Sequence, residues 1–260
     1  MSTFLSERIE DRVVTITLRC PEVLNSYDLE MLAQLQEAIV RLSEREDIRV
    51  VVLTGSGTAF CTGARLRFLL EALEADNVRS LKRLAETTRE LFLLVRRLPQ
   101  FTIASVNGLA VDGGLNLALS CDYAVAAEQA QFGYPFGQVG LSPDVGTAML
   151  LAPLFTHVQA LQFLLAGRLV GSAEARRLGL VQEIAPEKEL IRRTLSMASW
   201  ASRLPPVVVR GLKRNLQRAS RQSSSLEGEV EARIRCLLSE DFREGVEAFL
   251  QNRRPRFRGQ

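Results

Sequence analysis

The sequence predicts an α/β layer fold over residues 1–190, followed by a helical C-terminal region over 191–260. Three observations predict it. Strand-like and helix-like segments alternate through the first two thirds of the chain, which is the pattern of stacked strand and helix layers. Strand signals nearly vanish after Pro186. Glycine-containing turns (Gly55-Ser56-Gly57, Asn107-Gly108, Asp112-Gly113-Gly114) punctuate the alternation where one element hands over to the next.

Val13–Leu18 is β-branched and alternating, and Val50–Leu53 is a short apolar run; both read as strands. Between them Leu32, Leu35, Ile39 and Leu42 recur at helical spacing, with Ser26 or Asp28 as the N-cap. Leu81, Leu84, Thr88, Leu91, Val95 and Leu98 form one face of a second helix. Pro99 closes it, because proline disfavours helical geometry in the residue before it. Phe101–Val106 is a further strand, and Leu115–Ser120 an apolar helix. The C-terminal region reads as helices over Glu187–Ala201, Pro205–Arg218, Leu226–Leu238 and Asp241–Gln251. Ser220–Ser225 is a loop, and Ser224 with Glu227 makes a capping box for the third helix.

Composition narrows the function. The 260 residues are 47% hydrophobic, enough to bury a core without disulfides or metals. With 33 basic and 30 acidic residues the net charge is +3, too mild to imply a nucleic-acid partner. The longest apolar run, Ala148–Phe155, is far short of the roughly 20 residues of a membrane span. The N-terminus is charged early and no signal peptide is read. Cys20, Cys61, Cys121 and Cys236 are scattered, which fits a reduced, cytoplasmic protein. His157 is the one histidine, so a two-histidine metal site is excluded and acid–base chemistry falls mostly on carboxylates.

Two segments carry the chemistry: Ala59-Phe-Cys-Thr-Gly-Ala64, and Asn107-Gly-Leu-Ala-Val-Asp-Gly-Gly114 running into Leu115-Asn-Leu-Ala118. Glycine near a helix start lets backbone N–H groups face a ligand oxygen. Two such groups from separate turns can form an oxyanion hole. In order and spacing these segments resemble the crotonase (enoyl-CoA hydratase/isomerase) superfamily. Arg19-Cys-Pro-Glu-Val-Leu-Asn25, Leu169-Val-Gly-Ser-Ala-Glu-Ala175, Gly179-Leu-Val181 and the ending Phe242-Arg-Glu-Gly-Val-Glu-Ala-Phe249 extend the resemblance over nearly the whole chain.

The resemblance implies a spiral of ββα repeats with a helical C-terminal trimerisation region, assembled as a homotrimer or a dimer of trimers. It implies an acyl-CoA thioester substrate, with coenzyme A arriving as part of the substrate and no permanently bound cofactor. The Ala64 and Gly113 N–H groups would bind the thioester oxygen as its enolate forms. Substrate contacts would fall on Leu24, Cys61, Gly63, Arg65, Leu66, Asn116, Phe136, Leu141 and Phe249, and Lys213 would attract the polyanionic CoA head or face a subunit or solvent.

Hydratases of the superfamily activate water with two glutamates. At the matching positions this chain has Asn116 and Phe136, neither of which can exchange protons as a base. A different acid stands in Gly140-Leu-Ser-Pro-Asp144-Val-Gly146, which looks like the GLxPD segment of Δ3,Δ2-enoyl-CoA isomerases, including the ring-processing type of phenylacetate degradation. Isomerisation needs one base, so Asp144 is read as the proton shuttle, with a helix cap as its alternative role. Phe136 and Leu141 are candidates for an apolar wall beside it. The family's usual aspartate after Ala64 is Arg65 here, and the usual glycine before Gly113 is Asp112. Arg65 would reach a substrate carboxylate or CoA, pair with Asp112, or lie solvated. Asp112 would cap the Gly113 helix or serve as a second acid. A decarboxylase, hydrolase or hydratase/dehydratase, or a non-catalytic acyl-CoA-binding homologue, are the other readings.

Overall fold

The computed structural model describes residues 4–219, 230, 234 and 236–255. Among these, ten strands form two sheets. The larger runs β1 (Leu5–Glu10), β2 (Val13–Leu18), β3 (Val50–Gly55), β5 (Phe101–Val106), β7 (Tyr123–Ala127), β10 (Glu183–Ala185) in spatial order. The smaller runs β4 (Ala59–Cys61), β6 (Leu109–Val111), β8 (Gln131–Gly133), β9 (Val170–Gly171). After the β1–β2 hairpin, successive strand pairs β3–β4, β5–β6 and β7–β8 each place one strand in each sheet. Each lies parallel to the equivalent strand of the turn before, as in Val52 opposite Ile103 and Leu109 opposite Gln131. The first two of these pairs run into helices, which makes the path a spiral of ββα turns.

The inner strands are buried on both faces, which is why Val50–Leu53 reads as an uninterrupted apolar run and not as an alternation. Helix α1 (Leu29–Ser43) buries Leu32, Leu35, Ile39 and Leu42, the residues its spacing predicts. Asp28 is the cap: its Oδ1 accepts from the Glu30 and Met31 amides, both at 3.1 Å. Helix α2 (Leu66–Glu74) precedes α3 (Val78–Arg97), which ends before Pro99 as expected. Helices α4 (Gly113–Leu119), α5 (Thr147–Leu151), α6 (His157–Ala166) and α7 (Ser172–Arg177) are short and follow the later strands.

Among the described residues the C-terminal region forms helices α8 (Leu190–Ser202), α9 (Pro206–Ala219) and α10 (Glu240–Leu250). Helix α8 packs against β3, β5 and β7, where Ser105 and Thr194 share a buried hydroxyl–hydroxyl bond of 2.9 Å. Most of the helix expected over 226–238, with its Ser224–Glu227 box and the preceding serine loop, lies outside the described residues. Helix α10 rests on the 3-10 turn Pro135–Val139, where a Cβ on Gly245 would overlap the Val139 backbone. Large apolar side chains stay exposed on α6, α8 and α9, among them Leu165, Ile191, Val207 and Leu216. Among the described residues no helix is long and apolar enough to cross a membrane.

Asp28 has a second partner, the Arg65 guanidinium at 2.8 Å, so one carboxylate joins the start of α1 to the turn before α2. Asp28→Ala removes both links. It is expected to cost about 1–2 kcal/mol, seen as a lower urea midpoint at unchanged slope.

Candidate active site

The two glycine turns meet where the paired strands β4 and β6 end. Tyr27 forms a parallel bridge with Ala64: its amide donates to the Gly63 carbonyl and its carbonyl accepts from the Arg65 amide, both at 2.8 Å. In a parallel bridge the bracketed residue points its own N–H the other way. The Ala64 amide therefore faces away from Tyr27, and among the described residues it donates to no partner. Gly113 opens α4, where the first N–H groups of a helix have no intrahelical acceptor. Its amide likewise donates to no described residue. A Cβ on Gly63, whose φ is +79°, would stand 2.9 Å from the Gly113 nitrogen, and one on Gly114 would overlap the Cys61 carbonyl. Only glycine at both positions lets the turns approach this closely.

Asp144 lies in the segment between the Pro135–Val139 turn and α5 and is 2% exposed. The Tyr27 hydroxyl donates to its Oδ2 in a short hydrogen bond, and the Val145 amide donates to Oδ1 at 2.8 Å. A Cβ on Gly113 would overlap both the Tyr27 hydroxyl and the Asp144 carboxylate, so the acid is seated against the Gly113 Cα. The alternative role as a helix cap is not what the side chain does: the N-cap of α5 is Gly146, with no side-chain cap bond.

The other departures from the family pattern are placed as follows. Asp112 does not cap α4 with its side chain. Its Oδ1 instead accepts from the Asp144 amide at 3.1 Å. Its backbone sits at φ +46°, ψ −120°, a conformation that costs a side-chain-bearing residue on the order of 1–3 kcal/mol. Arg65 pairs with Asp28 and not with Asp112, and donates to the Ser26 carbonyl at 3.4 Å. Asn116 is fully buried and donates to Thr147 Oγ1 at 2.8 Å, while its Oδ1 accepts from the Tyr134 hydroxyl at 2.7 Å. Thr147 in turn donates to the Asp144 carbonyl at 2.6 Å. Asn116 thus buttresses the segment that bears Asp144.

A cavity of about 450 Å³ opens beside Ala64, with Leu24, Leu66, Phe136 and Phe249 among its walls. Gly63, Cys61, Asn116 and Leu141 are buried and are not among its walls, nor are Gly113 and Asp144. Burial pushes the Cys61 thiol up to about 12, so it stays protonated and packs. Lys213 does not join these residues. Its ammonium pairs with Asp122 at 2.5 Å and donates to the Gln100 carbonyl at 2.7 Å, on a different cleft formed by α9 and the chain before β3 and β5. Among the described residues no group of three or more His, Cys, Asp or Glu side chains is gathered to hold a metal.

Tyr27 is the residue that sequence reasoning missed. It lies 117 positions from Asp144, and its one signal is its place just after the Arg19–Asn25 motif.

Comparison with known proteins gives this geometry its family. The profile of the enoyl-CoA hydratase/isomerase family matches residues 8–260. The 1,2-epoxyphenylacetyl-CoA isomerase of Escherichia coli (strain K12) is 31% identical over 265 residues, covering 100% of both chains. The crotonyl-CoA hydratase of Syntrophomonas wolfei is 29% identical over 259 residues, 95% of each chain. The crystal structure of an enoyl-CoA hydratase from Mycobacterium avium subsp. paratuberculosis K-10 superposes with a TM-score of 0.88 at 27% identity, covering 98% of this chain and 99% of its own. The chain belongs to the enoyl-CoA hydratase/isomerase family, the crotonase superfamily, and the spiral of ββα turns with its helical C-terminal region is that superfamily's fold. Its relatives include both hydratases and isomerases.

Tyr27→Phe keeps the ring and removes the donor to a buried carboxylate. It is expected to destabilise the fold by about 1–3 kcal/mol, measured by denaturant titration at pH 7.

Proposed function

We propose that the protein is an acyl-CoA isomerase that moves a double bond from the 3,4 to the 2,3 position. The reading is supported most by one observation: the Asp144 carboxylate is seated against the Gly113 Cα, while the positions of the hydratase glutamates hold Asn116, locked into a buried network, and Phe136, a wall of the cavity. The similarity to an enzyme named as a CoA-thioester isomerase is in keeping with it.

Asp144 takes the C2 proton of a 3-enoyl thioester. The electron pair moves onto the thioester oxygen, which the Ala64 and Gly113 N–H groups hold. Fixed backbone donors stabilise such an oxyanion without reorganising, and each contributes about 2.7–4 kcal/mol in comparable sites. The same aspartate then returns the proton at C4, and the dienolate collapses to the 2-enoyl thioester. The acyl chain lies in the 450 Å³ cavity against Leu24, Leu66, Phe136 and Phe249. No resident cofactor is needed, since coenzyme A comes with the substrate. The exposed apolar side chains of α6, α8 and α9 suit burial between copies of the chain, in a trimer or a dimer of trimers. Decarboxylation with Arg65 gripping a substrate carboxylate gains no support, because Asp28 already holds that guanidinium.

Asp144→Asn is expected to lower kcat for 3-enoyl-CoA at least 100-fold, with acyl-CoA affinity within about threefold of the parent by calorimetry. Unchanged turnover in that variant, or a parent enzyme that hydrates 2-enoyl-CoA and does not isomerise, overturns the proposal.

A further inference from the structure

Asp112 occupies a backbone conformation that glycine adopts freely and an L residue does not, and its side chain is 0% exposed. Backbone strain and a buried carboxylate at one position both oppose folding. A residue that keeps both is held there by something its side chain does.

Its bonds show what that is. The Asp112 amide donates to the Gly133 carbonyl at 2.9 Å, which fixes the residue to the end of β8. Its carbonyl accepts from the Asn116 amide at 3.0 Å, which starts α4. Its main chain therefore sets where the next amide, that of Gly113, points. Its Oδ1 meanwhile accepts from the Asp144 amide at 3.1 Å, across 32 residues of chain. One residue is thus joined directly to both halves of the proposed machinery, the oxyanion donor through its backbone and the base through its side chain.

We infer that Asp112 is a positioning residue that sets the separation between the Gly113 amide and the Asp144 carboxylate. Resting as it does on the isomerase reading of Asp144, it adds a residue which the family's usual glycine cannot supply, since glycine has no acceptor to offer the Asp144 amide. Tyr27 aims the carboxylate and Asp112 anchors the main chain behind it. A misplacement of about 1 Å between reacting groups lowers turnover by roughly 100-fold, so the tether acts on kcat and leaves substrate affinity alone.

The test compares Asp112→Gly and Asp112→Asn with the parent on 3-enoyl-CoA. Asp112→Gly relieves the strain and removes the acceptor. Its melting temperature is expected to hold or rise while kcat falls about 10- to 100-fold and KM stays within about threefold. Asp112→Asn keeps an oxygen at the same place and is expected to recover most of that loss. A merely structural role predicts the reverse, with stability and not kcat moved by the glycine variant. Parental kcat in Asp112→Gly, or an Asp112→Asn variant as slow as the glycine one, overturns the inference. Should the glycine variant not fold, a loss of tenfold or more in folded Asp112→Asn overturns it by itself. The two proposals fail separately: an inactive Asp144→Asn with a fully active Asp112→Gly sinks this one alone, whereas an active Asp144→Asn sinks both.

Discussion

Tyr27 brackets Ala64 with two main-chain hydrogen bonds, and that bracket is the constraint on which the rest of the site depends. It leaves the Ala64 amide pointing outward and brings the phenol ring across to Asp144. The bracket works because Gly63, Gly113 and Gly114 carry no side chains where the two turns touch. Remove any of these conditions and the two amides and the acid no longer share one place. The turns after β4 and β6 bring two pieces of backbone to a separation that side chains would otherwise forbid.

The buried polar groups around the Asp144 main chain are joined to one another. Tyr134, Asn116, Thr147 and the Asp144 main chain form a continuous line of hydrogen bonds, and Asp112 enters it from the opposite side. Buried networks of this kind are stable only when their members are satisfied, and once satisfied they are stiff. Stiffness is what enolate chemistry asks of a site, because donors already in place do not have to turn as charge develops. Asn116, at a position where the resemblance to hydratases implies a glutamate, is a member of that network.

Much of the fold was readable from period and punctuation. Helices α1 and α3 and strands β2, β3 and β5 have strong repeats, and their boundaries fall where Asp28, Pro99 and the glycine turns put them. The three-residue strands β4, β6, β8 and β10 were not readable, because so short a segment has no period and is a strand only through its neighbours. Helix α2 carries no local start signal, because its N-cap is Arg65 with no side-chain cap bond and its first turn has no acidic residue. At the proposed site, the motifs singled out Ala64, Gly113 and Asp144, but side-chain partnerships across the chain had no local trace. Arg65 found Asp28, Lys213 found Asp122, and Tyr27 found Asp144, each by tertiary contact alone.

The wall of the cavity formed by α10 has a consequence for how the protein is made. Gly245, Phe249 and Arg253 are among the last described residues of the chain, yet they enclose the space beside Ala64, which was synthesised almost 200 residues earlier. The spiral of sheets can assemble while the ribosome is still working, but the chamber has no far side until α10 has been made. A chain cut short before α10 would lack the Gly245 and Phe249 wall and leave the space beside Ala64 open to water.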